Sequence, residues 1–238
     1  MATVEEFSSA VVALGDFNPP IFSPDWLEHN GLIGEEDAAA ARQDDGLVVA
    51  KQLTRFQTDW FILEVIEQRF SLTGRGPLAA SPALKDLAAG ILLLVPHTPI
   101  TAMGLNFFAH YKFLIEADYH KVGDILAPKA VWNKVVAPEG DKDIGLLNLT
   151  MQISPYKRGE RPTTKDVRQV GVQRSPKVTN GILLSYNDHH ETAFESNKDK
   201  SSAEFAVEII YEHWEAAWSD ATRIFDELIA LSLASETN

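Results

Sequence analysis

Asp188, His189, His190 and Glu191 follow Asn187 in one unbroken run. Carboxylate beside imidazole is the donor set of manganese, iron and zinc sites and of general acid–base pairs. A metal-dependent phosphoesterase centred on Asp188, His189 and Glu191 is the enzyme this run would support. Two arguments weigh against it. Adjacent residues of an extended segment point in opposite directions and cannot both serve one ion. A two-metal centre also needs further aspartates, which the ends of the preceding strands do not supply. The run is therefore read as a solvated polar turn, with no metal, no cofactor and no catalytic residue assigned.

A second group, Asn106, His110 and Lys112, lies on one face of a single extended stretch. The strand rise separates alternate residues by about 7 Å, the spacing of a pocket floor. Asn106 would orient a carbonyl, His110 would exchange a proton near neutrality and Lys112 would hold an anion. The same alternation also describes a strand with one side in water, which is the favoured reading. Other chemistry is missing from the sequence. There is no cysteine, hence no thiolate metal site, disulfide or cysteine nucleophile. No Gly-x-Ser-x-Gly elbow occurs. Thr73-Gly74-Arg75-Gly76-Pro77 lacks the Lys-Ser/Thr pair of a phosphate loop and reads as a turn.

The formal net charge of −13 opposes generic binding to nucleic acid. It is uneven: seven basic residues against Glu160 and Asp166 give residues 155–178 a local +5, and subtracting that from −13 leaves −18 on the remainder. Arg158, Arg161 and Lys165 in this stretch are candidate partner contacts, with nucleic acid as a less favoured occupant. No apolar run approaches the roughly 20 residues of a membrane span. The start at Met1–Glu6 has no basic, then apolar, leader pattern, which predicts a cytoplasmic protein.

The elements that must position these groups follow from periodicity. Met103, Leu105, Phe107, Ala109, Tyr111 and Phe113 alternate with polar or smaller residues and predict a long strand. Leu147 to Ile153 predicts another, with a return arm near 167–172 and a third strand at 182–186. Residues 11–14 read as a short edge strand, and 47–55 and 60–72 as the two arms of a hairpin. Ser81-Pro82 caps a helix striped by Leu84, Leu87, Ala88 and Ile91. Ser201 and Glu204 have capping-box spacing and open an amphipathic helix to about Ser232. Shorter helices are expected over 34–43, from Asp118, and around Val131–Val136.

These elements predict an α+β protein: a mixed, largely antiparallel sheet covered by helices, with a long amphipathic C-terminal helix. Two rounds of strands ending in a capped helix suggest a loose duplication of a strand-strand-strand-helix unit. One domain over 1–238 is expected, with a two-lobed division near 96–99 (1–96 and 97–238) as the alternative. The hydrophobic supply outruns the visible chemistry, so the expected role is a non-enzymatic interaction or assembly subunit that meets a protein partner or itself. Trp214, Trp218 and Phe225 on the C-terminal helix are its candidate anchors. A small-ligand enzyme, the phosphoesterase and a nucleic-acid contact through 155–178 are the alternatives.

Overall fold

The computed structural model describes residues 2–76, 79–136, 144–154, 166–192 and 201–234. Its centre is a pair of 14-residue antiparallel strands, β1 (Ala2–Gly15) and β6 (Ile100–Phe113), which run alongside each other from Ala2↔Phe113 to Gly15↔Ile100. Around them a nine-stranded sheet has the order β2-β3-β4-β5-β1-β6-β9-β8-β7. The remaining strands are β2 (Val48–Val49), β3 (Leu53–Gln57), β4 (Phe61–Ile66), β5 (Arg69–Gly74), β7 (Asn148–Ile153), β8 (Val167–Arg174) and β9 (Gly181–Glu191). Every neighbouring pair is antiparallel, at the antiparallel end of the mixed, largely antiparallel sheet expected from sequence.

The chain passes through the same order twice. Apart from the two-residue β2 between α2 and β3, which has no counterpart, a first round runs β1, the helices α1 (Pro24–His29) and α2 (Glu35–Gln43), strands β3, β4 and β5, then α3 (Pro82–Leu93). A second runs β6, α4 (Glu116–Leu126), α5 (Lys129–Val136), strands β7, β8 and β9, then α6 (Ser202–Ala234). Each round lays its last strand against its own first one and builds outward, and the one sheet runs through both.

Alternation sets which side is covered. Phe7, Val11 and Ala13 on β1, Phe61, Leu63 and Val65 on β4, and Leu105, Phe107 and Ala109 on β6 face the helices, and all but Phe7 are buried. A fully buried aromatic or branched side chain contributes about 1.5–3 kcal/mol, so this layer is the main source of stability. The helix ends follow the sequence signals. Ser81 Oγ accepts from the Ala83 N–H at 3.2 Å with Pro82 in the first turn. At α6, Ser201 Oγ accepts from the Glu204 N–H at 3.2 Å while Glu204 Oε2 accepts from the Ser201 N–H at 2.8 Å. No helix among the described residues is long and apolar enough to cross a membrane.

Four elements differ from expectation, one of them the arm at 47–55, which reverses on itself as β2 paired to β3. The stretch around residues 11–14 is the end of a central strand; a bulge between Val4 and Glu6 shifts its alternation and hides the first half. The arm at 60–72 is two strands, because the chain reverses at Glu67-Gln68 without glycine or proline to mark it. Residues 187–191 are no turn: β9 continues straight through them, paired to β6 as far as Ala102↔Glu191.

Candidate functional site

Because β9 stays extended, its side chains keep alternating. Tyr186, Asp188 and His190 point to the helix layer and are buried, while Asn187, His189 and Glu191 take the other side. The Asp188, His189 and Glu191 set considered from sequence is thus divided between two faces. What meets Asp188 instead is His190, two residues on, and His213 from α6. One donor atom from each lies within 4.8 Å of the others.

The surroundings of this trio are polar and ordered. His190 Nε2 is 3.1 Å from Asp188 Oδ2, and its Nδ1 is 3.7 Å from Asp166 Oδ2. Asp166 is itself held by the Glu191 N–H, which donates to Oδ1 at 3.1 Å. On the far side, Arg168 Nε donates to Asp188 Oδ1 at 3.4 Å and its guanidinium reaches Asp220 on α6 at 3.2 Å. The His190 and His213 rings stand 4.3 Å apart between centroids. Burial pushes the Asp188 carboxyl up, but His190, Arg168 and His213 outweigh it and hold the group below the usual carboxylate range. For His213, burial and then the neighbouring His190 lower the pKa, against Asp188. Burial and Asp188 push the Tyr186 phenol up, and its hydroxyl has no hydrogen-bond partner among the described residues. An anionic Asp188 wedged between imidazoles and a guanidinium can hold a cation or anchor an ion pair across the β9–α6 seam.

The second group from sequence does not converge into a pocket. Asn106 Nδ2 donates to the nearby Gly104 carbonyl at 3.1 Å, and Lys112 is exposed. His110 is buried, with Nδ1 2.8 Å from Ser175 Oγ. That oxygen already accepts from the Lys177 and Val178 N–H groups at 3.2 and 3.0 Å, so its proton is directed to His110. Burial and the Lys177 charge lower the His110 pKa, with Glu6 opposing.

The proposed interface anchors also sit elsewhere. Trp214 and Phe225 are fully buried, and half-buried Trp218 packs on Phe7 and Phe107 with centroids at 5.7 and 5.9 Å. These aromatics hold α6 on its own sheet, because an amphipathic helix buries its widest apolar sector first. Arg158, Arg161 and Lys165 lie outside the described residues.

Uncovered apolar surface lies on α5 and on the sheet's last strand, β7. Every residue from Val131 to Val136 on α5 is exposed, including Val131, Trp132, Val135 and Val136. Strand β7 has no neighbour beyond β8 among the described residues, and its Met151 is 59% exposed. Sequence reasoning marked both elements from their periodicity. His190 was hidden by reading 187–191 as a turn. His213 carries no local signal, because only the docking of α6 brings it to β9. No family model and no curated protein sequence matches this chain.

Proposed function

We propose that this chain is a non-enzymatic, cytoplasmic assembly subunit that associates with a second copy of itself along the β7 edge. The observation that carries the reading is an edge strand with no neighbour beyond it among the described residues. Asn148-Leu149-Thr150-Met151-Gln152-Ile153 contains no charge and no proline, the devices that ordinarily keep a free edge from pairing.

The strand suits a twofold partner. Antiparallel pairing centred on Met151 sets Leu149 opposite Ile153 and Thr150 opposite Gln152, apolar with apolar and polar with polar. The charges of the sequence run in the same sense. In sequence, 137–143 before β7 carries a net −2 (Glu139, Asp141 and Asp143 against Lys142) and 155–165 after it a net +3 (Lys157, Arg158, Arg161 and Lys165 against Glu160), so opposed chain directions favour acidic with basic segments. A six-residue strand falls short of the roughly 800 Å² per partner in a stable interface. The exposed Trp132 and Val135 of α5 are the natural second contact.

Light scattering at micromolar concentration tests this. The wild type is expected to be a dimer that weakens with added salt. Met151→Lys, which places like charges opposite each other, is expected to give a folded monomer, and Trp132→Glu a weakened dimer. A wild type that stays monomeric, or a Met151→Lys chain that stays dimeric, overturns the proposal.

A further inference from the structure

We infer that Asp188, His190 and His213 form a binding site for a divalent first-row transition-metal ion that joins β9 to α6. The inference is independent of the β7 proposal.

Donor type and spacing come first. Two imidazoles and one carboxylate form a donor set for zinc, iron(II) or manganese, and no thiolate exists in the chain to compete. Donors bound at roughly 2.0–2.2 Å stand about 3–4 Å apart around one ion. The Asp188 and His190 atoms are at 3.1 Å, and the His213 donor lies within 4.8 Å of the others.

A buried atom without a partner is the second observation. His190 Nε2 is enclosed, and its approach to Asp188 does not have hydrogen-bond geometry, so the nitrogen has no hydrogen-bond partner among the described residues. Buried polar atoms are nearly always satisfied. A cation shared between this nitrogen and Asp188 Oδ2, 3.1 Å away, would satisfy both atoms.

The surrounding groups fit the same role. Histidine bound to a metal typically shows its other ring nitrogen to a carboxylate, and Asp166 occupies that position behind His190. Arg168 engages Asp188 Oδ1, which leaves Oδ2 for the ion. His213 is only partly covered, so water can complete the coordination from outside.

The test uses the full chain, stripped with chelator and titrated with zinc by calorimetry. One saturable ion per chain is expected for the wild type. His213→Gln, at a partly covered position, is expected to lose more affinity than the roughly 10–100-fold that removing an outer carboxylate costs. Asp166→Asn is expected to lose about that 10–100-fold. His189→Gln, on the same strand but the opposite face, is expected to bind as the wild type does. No saturable zinc binding by the wild type, or equal affinity in His213→Gln and His189→Gln, overturns the inference. If His213→Gln does not fold, cobalt added to the wild type decides. Imidazole–carboxylate d–d bands at one equivalent support the site, and a spectrum indistinguishable from aqueous cobalt overturns it.

Discussion

At one end the sheet narrows to the two residues of β2, beside Asp44, Asp45 and Lys51, whereas at the other it stops at β7, six residues long and uncharged. The helices preceding each edge differ in the same way. In the first round, α1 buries Leu27, α2 buries Ala38 and Ala41, and Trp60 donates its indole N–H to Asp37 at 3.0 Å. In the second, α4 buries Val122 alone and α5 buries nothing. Since the order of elements is shared, the fold does not require the exposed edge. The difference lies in side chains: small alanines let α2 dock closely, while α5 carries bulky Val131, Trp132 and Val135 into solvent.

The largest effect expected from this contrast is in core stability. Phe70 packs with Phe17 and Phe22 at centroid distances of 6.1 and 6.0 Å. Phe70→Ala should cost about 3–5 kcal/mol in urea denaturation. Trp132→Ala, measured on a folded Met151→Lys background, should stay within about 0.5 kcal/mol of that background. Comparable losses would mean that α5 is covered after all, and the contrast between the edges would disappear.

Glycines give a smaller version of the same comparison. A Cβ at Gly74 would stand 2.1 Å from the Ala79 carbonyl oxygen, which is backbone and cannot step aside. At Gly171 the obstacle is the Ser185 hydroxyl at 2.3 Å, which can rotate away. Gly74→Ala should therefore cost about 1–3 kcal/mol and Gly171→Ala less than about 1 kcal/mol. The reverse order in thermal unfolding would show the second-round strands to be the more tightly constrained.

The covering helices should behave alike. Ser81→Ala and Ser201→Ala each remove a cap and should each lower stability by about 1 kcal/mol. Unequal losses in parallel denaturation curves would extend the difference between rounds from the edges to the helix layer.

What could be read from the sequence was what local period specifies. The alternation of 101–113 and 147–153, and the capped stripes of α3 and α6, depend on neighbours two to four residues away. A bulge in β1 and a turn at Glu67-Gln68 made of ordinary residues erased that signal. Polar residues 187–191 looked like a turn because they bury a charge network where alternation normally buries hydrocarbon. The candidate metal ligands were legible only in part. Asp188 stood out by type, His190 required the strand to continue, and His213 required tertiary docking between segments more than 20 residues apart.

Acid offers the finest probe of the two rounds. His29 and His97, in the first round's segments, are exposed, whereas His110 is buried in the second, across from Glu6, which bonds Lys177 at 2.6 Å. Its Nδ1 accepts the Ser175 proton, so protonating the ring removes an acceptor and adds a charge beside Lys177. The folded-state pKa is lowered from 6.5, so the unfolded chain takes up the proton first as pH falls. The stabilisation is then complete above about 6.5 and drains away below it. Protection factors, corrected for the intrinsic exchange rate at each pH, should fall in β6 and β9 before β3 to β5 as pH drops from about 7.5 to 5.5, and His110→Gln should flatten that dependence. Protection lost evenly over both halves, or a variant as acid-sensitive as the wild type, would remove His110 as the cause.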